Sequence, residues 1–411
     1  MKHRSLWPLL LTVFIDIVGF SIVIPILPDL FLNPAYHLLP EPLPLPVRTQ
    51  LLGLMLGLFP LLQILSAPIL GGLSDRWGRK NILLVSLAGT FIGHVLFGVG
   101  LVTSQLWMLF LGRAISGLTG GNISVAMSAI ADVSNESERT KHFGLIGMAY
   151  GLGFIIGPWI GGRLADPNVL WWFGPDTPFW FSALLTGFNI GWLALVFRET
   201  LTIKTRVKMT FLTGATYLLK AFTLPNLRIL FLVSFLVTIG FNFFTQFIQV
   251  YLIERFHATP SQIGDLFGFA GVWTAFTQGI LMRLIANHWS ATRVLSVSSL
   301  CSAGAFLLLL IPWNLPGMFA VVPAIAVFSG LAIPNLTTVV SNHAGNSSLG
   351  ETIGINQSVI SLAQALPPIL AGSIAGYDAR IPIIFASVFT LLGWLAFVTI
   401  FQTKNRRSKQ A

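Results

Sequence analysis

Twelve apolar runs, each about as long as a lipid bilayer is thick, constrain what this 411-residue chain can fold into. Hydrophobic residues make up 54% of the sequence, charged residues only 9%, and the mean hydropathy is +0.80. Soluble domains carry about 25% charged residues, whereas a membrane-spanning helix needs roughly 20 consecutive apolar ones. We therefore predict an all-α membrane protein with twelve transmembrane helices over residues 6–31, 50–71, 81–102, 105–130, 142–165, 178–197, 227–252, 262–285, 292–311, 316–341, 351–376 and 380–402.

The basic residues indicate the orientation of these helices. If the N-terminus and every second loop are assigned to one side, that side collects 19 of the 24 Lys and Arg residues. The positive-inside rule then predicts that both termini are cytoplasmic. The net charge of +10 is thus explained by topology, and we expect no nucleic-acid binding. The first run continues to Phe31 and contains Asp16 and Pro25, so we predict a first span and not a cleaved signal peptide.

The longest cytoplasmic segment divides the predicted spans into six and six. We predict an N-terminal half over 1–197, a linker over 198–226, a C-terminal half over 227–402 and a basic cytoplasmic tail over 403–411. A short echo supports two pseudo-symmetric halves: Gly72, Asp75 and Arg76 follow the second span, and Gly279, Met282 and Arg283 follow the eighth.

The most distinctive segment is GGLSDRWGRK, residues 71–80, which concentrates charges between two apolar runs. We expect a tight loop in which glycines allow close approach and positive φ. Asp75 is expected at the N-terminus of another helix, where a carboxylate is favoured. Arg76, Arg79 and Lys80 are expected to face anionic lipid or nearby carboxylates. An ordinary positive-inside loop is the alternative.

Two ionisable residues lie deep inside predicted spans. Asp16 lies ten residues into the first span and Arg113 about eight residues into the fourth, which runs in the opposite direction. At 1.5 Å per residue, each lies roughly 12–15 Å from its own membrane face, so the two can share a depth. A charge at the bilayer centre costs about 2.5–3.5 kcal/mol or more, so such residues usually have a function. A proton-carrying carboxylate beside an arginine and a static buried ion pair both remain open.

Several motifs resemble those of a known family. The pattern G-x-L-x-D-R-x-G-R-K resembles the cytoplasmic signature loop of the major facilitator superfamily of transporters. The fourth span has the G-R-x-x-x-G-x-x-G form of that family's fourth helix, from Gly112 to Gly120. The fifth span is similar to the antiporter motif of the family's exporters, through Gly144, Gly153, Gly157, Pro158, Gly161 and Gly162.

The first span, with Asp16-x-x-Gly19 and Pro25-x-Leu27-Pro28, looks like the tetracycline/proton antiporter branch of this family. So do residues 129–132, 138–144 and 330–334. The resemblance implies a major facilitator fold with a substrate site near the midplane between the halves. It also implies a cytoplasmic latch made of Gly71, Asp75, Arg76, Gly78, Arg79, Lys80, Asp132 and Glu351. Ser348-x-x-Glu351 reads as a capping box that would dock this latch.

Polar uncharged residues inside the spans are candidates for the substrate cavity: Gln63, Asn122, Asn242, Gln246, Gln249, Asn335, Gln357 and Gln364. Asn242, Gln246 and Gln249 fall along one face of the seventh helix. Hydrogen bonds between helices, worth about 0.6 kcal/mol each, are the competing explanation for every one of them.

The sequence therefore predicts a proton-coupled secondary transporter that exports small amphiphilic compounds by alternating access. Its partners would be the substrate, protons and membrane lipids; we expect a monomer in a bacterial cytoplasmic (inner) membrane. No cofactor is expected, because the proton gradient would supply the energy. A single cysteine, Cys301, and dispersed histidines predict no metal site, and no phosphate-binding loop indicates ATP use.

Three alternatives remain open. One is a proton-coupled importer of a metabolite or siderophore, and another is a lipid or glycolipid exporter of the same fold. The third is a membrane-embedded enzyme, for which the spans offer no pair of nucleophile and base and hence no catalytic residues. We predict that the chain is not an enzyme.

Overall fold

A computed structural model describes residues 6–40, 42–133, 136–201, 216, 219–221, 223–224, 227–343 and 349–403. Most of the predicted linker and nearly all of the predicted tail lie outside these ranges. The long regular elements within them are helices: α1 Leu6–Ser21, α2 Leu27–Leu32, α3 Leu45–Trp77, α4 Arg79–Val102, α5 Leu106–Thr119, α6 Asn122–Val133, α7 Glu136–Leu164, α8 Thr177–Val196, α9 Arg228–Phe256, α10 Pro260–Phe276, α11 Met282–Ala286, α12 Ala291–Leu308, α13 Leu315–Asn342, α14 Leu349–Ala375 and α15 Ile381–Ala396. Single π-helical turns follow α10, over Thr277–Leu281, and α15, over Phe397–Gln402.

The helices have the length and surface of membrane spans. In the described part of the chain, ten helical stretches are long and apolar enough to cross a bilayer, and Leu6–Ser21 is a shorter apolar helix. Large apolar side chains remain exposed on them, such as Leu184 and Leu195 on α8 and Val272 on α10. Water would not favour so much exposed apolar surface, whereas lipid would. The predicted class, an all-α multi-pass membrane protein, is confirmed.

Two predicted spans are not continuous helices. The first, predicted over 6–31, ends as α1 at Ser21 and resumes as α2 at Leu27. Pro25 has no amide hydrogen to donate, and the residue before a proline is disfavoured in helical conformation. The backbone N–H of Ile24 donates to Ser21 O, three residues earlier, at 3.0 Å, and not to the carbonyl four residues earlier as in an α-helix. The fourth, predicted over 105–130, is interrupted at Gly120–Gly121 between α5 and α6.

The chain forms two compact units. The N-terminal unit comprises Met1–Leu43, Leu58–Thr213 and Thr259–Gly268, and the C-terminal unit comprises Pro44–Gly57, Gly214–Ala258 and Phe269–Ala411. Each unit has its own buried apolar cluster, the first around Leu9 and Leu87 and the second around Phe231 and Leu336. Each unit is mainly one predicted half with a short segment of the other. The predicted domain boundaries stay predictions, because most of the linker is not described.

The glycines of α7 bring this helix against α1 within the N-terminal unit. A Cβ at Gly153 would meet the side chain of Ile17, and one at Gly161 would meet the backbone of Ile22. Ser21 Oγ also donates a hydrogen bond to Gly153 O at 3.1 Å. Small residues at four-residue spacing permit such close helix contact in lipid.

The end of the same motif contacts a different helix. A Cβ at Gly162 would meet the backbone of Pro260 and Gly264 at the start of α10. This part of α10, within Thr259–Gly268, belongs to the same unit. Pro158 lies inside α7, and the helix continues on both sides of it. Gly144 is also part of α7.

Replacing Gly157 by alanine is expected to destabilise the protein by about 1–3 kcal/mol, the range for overpacking a tight contact. Its Cβ would meet Ser21 Oγ and the backbone of Val18. Gly151 is the matched control on the same helix, since no other described part of the protein comes within 4 Å of a Cβ there. Thermal unfolding in detergent measures both variants. Equal melting temperatures for Gly157→Ala and Gly151→Ala would contradict the α1–α7 contact.

Candidate functional site

The break between α5 and α6 is held open by polar side chains. Ser66 Oγ donates to Gly117 O at 2.9 Å, and Ser86 Oγ donates to Thr119 O at 2.7 Å. Gln63 Nε2 donates to Gly120 O at 2.5 Å. Backbone carbonyls freed inside a membrane need such partners, because lipid supplies none. Gln63, predicted as a substrate-cavity residue, is therefore used here to satisfy the interrupted backbone.

The same break places Asn122 against Asp16. Asn122 is the first residue of α6, is 0% exposed, and donates from Nδ2 to Asp16 Oδ1 at 2.9 Å. The N-terminus of a helix carries a partial positive charge that favours a nearby carboxylate. Asp16 is thus held at the start of α6. Asn122, which was also predicted as a substrate-cavity residue, instead binds this carboxylate through its side-chain amide.

Arg113 lies near Asp16 without forming an ion pair with it. Among the described residues, Arg113 has no salt bridge, and its buried Nε has no hydrogen-bond partner. Its guanidinium carbon lies 5.7 Å from the centre of the Phe97 ring, in cation–π range. The alternative of a static Asp16–Arg113 ion pair is therefore wrong for this structure.

Asp16 and Arg113 line one small cavity inside the N-terminal unit. Its free volume is about 30 Å³, which is room for one or two water molecules or a single functional group. His94, Thr90 and Ser116 add polar groups, and the apolar wall is formed by Phe20, Phe59, Phe97 and Phe179. None of the eight predicted substrate-cavity residues lines this cavity.

His94 is the functional candidate that the sequence motifs do not identify. Its side chain is 8% exposed, and its Nε2 has no hydrogen-bond partner among the described residues. The expectation for a histidine inside a span is a hydrogen bond to a neighbour. In the sequence, His94 could have been recognised as a candidate only by its position, because it is the one histidine well inside a predicted span.

The remaining substrate candidates are dispersed. The amides of Asn242 and Asn335 each donate to a carbonyl one turn earlier in their own helix, at 2.9 and 2.8 Å. Gln249 is buried, whereas Gln246 and Gln364 are half-buried and Gln357 is exposed. Their role in substrate binding stays a prediction.

The signature segment is more regular than the predicted loop. Helix α3 continues through Trp77, a single residue follows, and α4 begins at Arg79. That single residue, Gly78, has φ +98°, which favours glycine over residues with a side chain. Gly71 is helical and has open space around it. The predicted tight loop is therefore wrong in extent, because the charged residues Asp75 and Arg76 belong to the last turn of a helix.

Arg79 is the buried centre of a polar cluster whose carboxylates are partly exposed. It is 5% exposed; its Nη1 lies 2.6 Å from Asp75 Oδ1 and donates to Ser74 Oγ at 2.6 Å. Its Nε lies 2.9 Å from Asp132 Oδ2. Asp75 thus pairs with Arg79 one turn away, and the expectation that it caps another helix is wrong for this structure. Arg76, by contrast, is exposed.

Glu199 completes this cluster and was not identified from the sequence. Its two carboxylate oxygens accept the backbone amides of Arg79 and Lys80 at 3.0 and 3.1 Å, which caps the start of α4. Lys80 Nζ donates to Ala194 O at 2.7 Å. The predicted dock on Ser348 and Glu351 is not described, since Ser348 and the side chain of Glu351 lie outside the described part of the structure.

Replacing Gly78 by alanine is expected to destabilise the protein by about 1–2 kcal/mol from the left-handed backbone alone. The added Cβ would also meet the Glu199 carboxylate. Gly71→Ala is the control within the same motif; it adds a methyl group to an open helical position and should be neutral or stabilising. Melting temperatures compare the two, and a harmless Gly78→Ala would contradict the capped one-residue connection.

The described residues contain no group of three or more His, Cys, Asp or Glu side chains that could hold a metal ion. The predicted lack of a metal site and of a cofactor stays a prediction.

Comparison with known proteins agrees with the motifs. The family model of the Major Facilitator Superfamily matches residues 9–253 and 230–411. The chain is 29% identical to the class H tetracycline resistance protein of Pasteurella multocida, over 92% of this chain and 90% of that protein. It is 25% identical to multidrug resistance protein 2 of Bacillus subtilis (strain 168), over 98% and 97%.

Solved structures share the fold at lower identity. The human organic anion transporter MFSD10 (TETRAN) superimposes with a TM-score of 0.72 at 22% identity, over 96% of this chain and 99% of that one. A D-xylose-proton symporter gives 0.75 at 16% identity, over 96% and 97%. With a family model that matches nearly its whole length, the chain belongs to the major facilitator superfamily of membrane transporters and is not an enzyme.

Proposed function

We propose that this protein is a proton-coupled exporter of small amphiphilic compounds that works by alternating access. The observation that carries the proposal is Asp16, a carboxylate inside a cavity of the N-terminal unit, held by Asn122 and not neutralised by Arg113. A carboxylate locked in an ion pair could not exchange its proton readily. Within the described part of the chain, this one accepts a hydrogen bond on Oδ1 alone.

In the proposed cycle, Asp16 binds a proton from the outer side and releases it to the cytoplasm while the substrate moves outward. Burial disfavours the charged carboxylate, whereas the hydrogen bond from Asn122 favours it. Such opposing effects allow the proton to be both bound and released. The membrane potential supplies about 2.3 kcal/mol per charge per 100 mV, and each pH unit adds about 1.4 kcal/mol. No cofactor is needed.

Export is favoured over import by two observations. In the antiporter-type glycine run of α7, Gly153, Gly157 and Gly161 pack against α1, and Gly162 packs against the start of α10. The relatives at 25–29% identity are named as tetracycline and multidrug resistance proteins, and a transporter that lowers the amount of a toxic compound in the cell would give resistance. We propose a bacterial cytoplasmic membrane, with both termini in the cytoplasm, and a monomer in contact with lipid.

The test is transport by purified protein in liposomes with an imposed pH difference. An internal pH-sensitive dye reports proton movement, and a panel of aromatic amphiphiles, tetracycline among them, supplies the substrates. We expect proton flux that depends on substrate and runs opposite to it. Proton movement in the same direction as the substrate would instead identify an importer, and substrate movement indifferent to pH would exclude proton coupling.

A further inference from the structure

Two arginines stand at the junction of α11 and α12 without a carboxylate to pair with. Arg283 lies in α11 and Arg293 in the first turn of α12, and the connection 287–290 joins the two helices. Both are exposed, and neither forms an ion pair with any described residue. The sequence offers no local partner, because it contains no Asp or Glu between Asp265 and Glu351. The two positive charges are thus open to an anion from outside the chain.

An aromatic side chain holds one of these arginines in place. The guanidinium carbon of Arg293 lies 4.5 Å from the centre of the Trp289 ring, in cation–π range. Ser290 caps α12 through its Oγ, which accepts a hydrogen bond from the backbone amide of Arg293 at 3.4 Å. Trp289 is itself exposed, and tryptophan is enriched where membrane proteins meet the lipid head groups. We therefore expect the charge of Arg293 at the level of the lipid phosphates.

An apolar stripe runs along α12 from this arginine. Arg293, Val297, Leu300, Gly304 and Leu307 follow one another at spacings of three and four residues, so they share one face of the helix. All five are exposed. A Cβ at Gly304 would meet no other described part of the protein within 4 Å, so the stripe has an indentation between its leucines. An acyl chain can lie along this stripe when its head group is at Arg293.

We propose that this surface, made of Arg283, Trp289, Arg293 and the apolar stripe of α12, binds an anionic phospholipid. The lipid phosphate accepts hydrogen bonds from the guanidinium of Arg293, Arg283 adds a second positive charge, and an acyl chain contacts Val297 and Leu300. A zwitterionic lipid also carries a phosphate, but the arginines repel its ammonium group. Negative net charge is therefore what the surface selects.

This inference goes beyond the proposed export and uses only its topology. With both termini in the cytoplasm, the connection between α11 and α12 faces the cytoplasmic leaflet, whose anionic lipids attract basic residues. An ordinary positive-inside loop would carry the same two charges. It would not need the aromatic support of Arg293 or the stripe, so variants of these features distinguish a lipid site from a topology signal.

The test is native mass spectrometry of the full-length protein in detergent micelles, titrated with phosphatidylglycerol or with phosphatidylcholine of the same acyl chains. We expect phosphatidylglycerol to bind with a dissociation constant at least about fivefold lower, the effect of one basic residue at an anionic lipid. Arg293→Gln should remove most of this difference. Arg228→Gln is the matched control, because Arg228 is also exposed, at the start of α9 in the same unit, and its replacement should preserve the difference.

Equal dissociation constants for the two lipids would overturn the proposal, and so would equal losses in Arg293→Gln and Arg228→Gln. Leu300→Gln, which keeps both arginines, tests the stripe: it should weaken the binding of both lipids by the same factor. Unchanged binding of both would show that no acyl chain lies on the stripe, and the proposal would again fail.

Inorganic phosphate separates a lipid site from a site for the free ion. Added in large excess, it should not displace phosphatidylglycerol, because it has no acyl chain to contact the stripe. Displacement would identify the phosphate ion as the ligand and overturn the proposal. None of these measurements depends on transport, so this proposal and the proposed export can fail independently of each other.

Discussion

Asp16→Asn is expected to reduce proton-driven transport to the level of protein-free liposomes. Asparagine has nearly the shape of aspartate and can still pair with Asn122, which donates to Oδ1 at 2.9 Å in the native protein. It cannot bind and release a proton, so the cycle has no proton carrier. Exchange of substrate between the two sides without a pH difference should persist, because it needs no proton. The measurement is substrate uptake into inverted vesicles with and without an imposed pH difference.

Asp29→Asn is the matched control for this experiment. Asp29 lies further along the first segment, in α2, and accepts a hydrogen bond from Tyr36 Oη at 2.8 Å. It does not line the cavity of Asp16, so its replacement should leave pH-driven transport close to that of the unaltered protein. Full transport by Asp16→Asn, or equal loss in both variants, would remove Asp16 from the mechanism.

Arg79→Ala is expected to cause a large loss of stability, about 1.5–3 kcal/mol, the range for hydrogen bonds to charged groups. The change leaves Asp75 and Asp132 without their cation, only 23% and 25% exposed at the side chain. Thermal unfolding in detergent should show a melting temperature lower by several degrees, and less protein should be recovered from membranes.

Arg76→Ala tests whether the charge or the contact matters. Arg76 is exposed, three residues away in the same motif, and equally positive. Its removal should change stability by less than about 0.5 kcal/mol, as for ordinary surface positions. Equal destabilisation by Arg76→Ala and Arg79→Ala would show that the motif acts through its net charge at the membrane and not through the cluster with Asp132.

The helices could be predicted from the sequence because apolar runs report burial in lipid directly. The predicted span 81–102 corresponds to α4 at Arg79–Val102, and 316–341 corresponds to α13 at Leu315–Asn342. The interruptions at Pro25 and Gly120 could not be predicted, since prolines and glycines also occur inside continuous membrane helices. Pro158, for example, lies inside the unbroken α7. Whether a helix breaks depends on partners such as Gln63, which are distant in sequence.

The site was predicted in part, for a related reason. Asp16 and Arg113 stand out because a charge in an apolar run is costly, and the structure brings both to one cavity. Their partners do not stand out. Asn122 and Glu199 act through contacts across 106 and 120 residues of chain, and no local pattern encodes such pairings. His94 was visible only as a polar residue without an assigned role.

The one-residue connection at Gly78 has a practical consequence for engineering. Loops between helices usually tolerate tags, protease sites and labels, because a flexible loop can accommodate an insertion. Here a single residue joins α3 and α4, and the backbone amides of Arg79 and Lys80, which follow it, already donate hydrogen bonds to Glu199. Insertion scanning should therefore find residues 77–80 among the least permissive positions of the chain, although they join two helices.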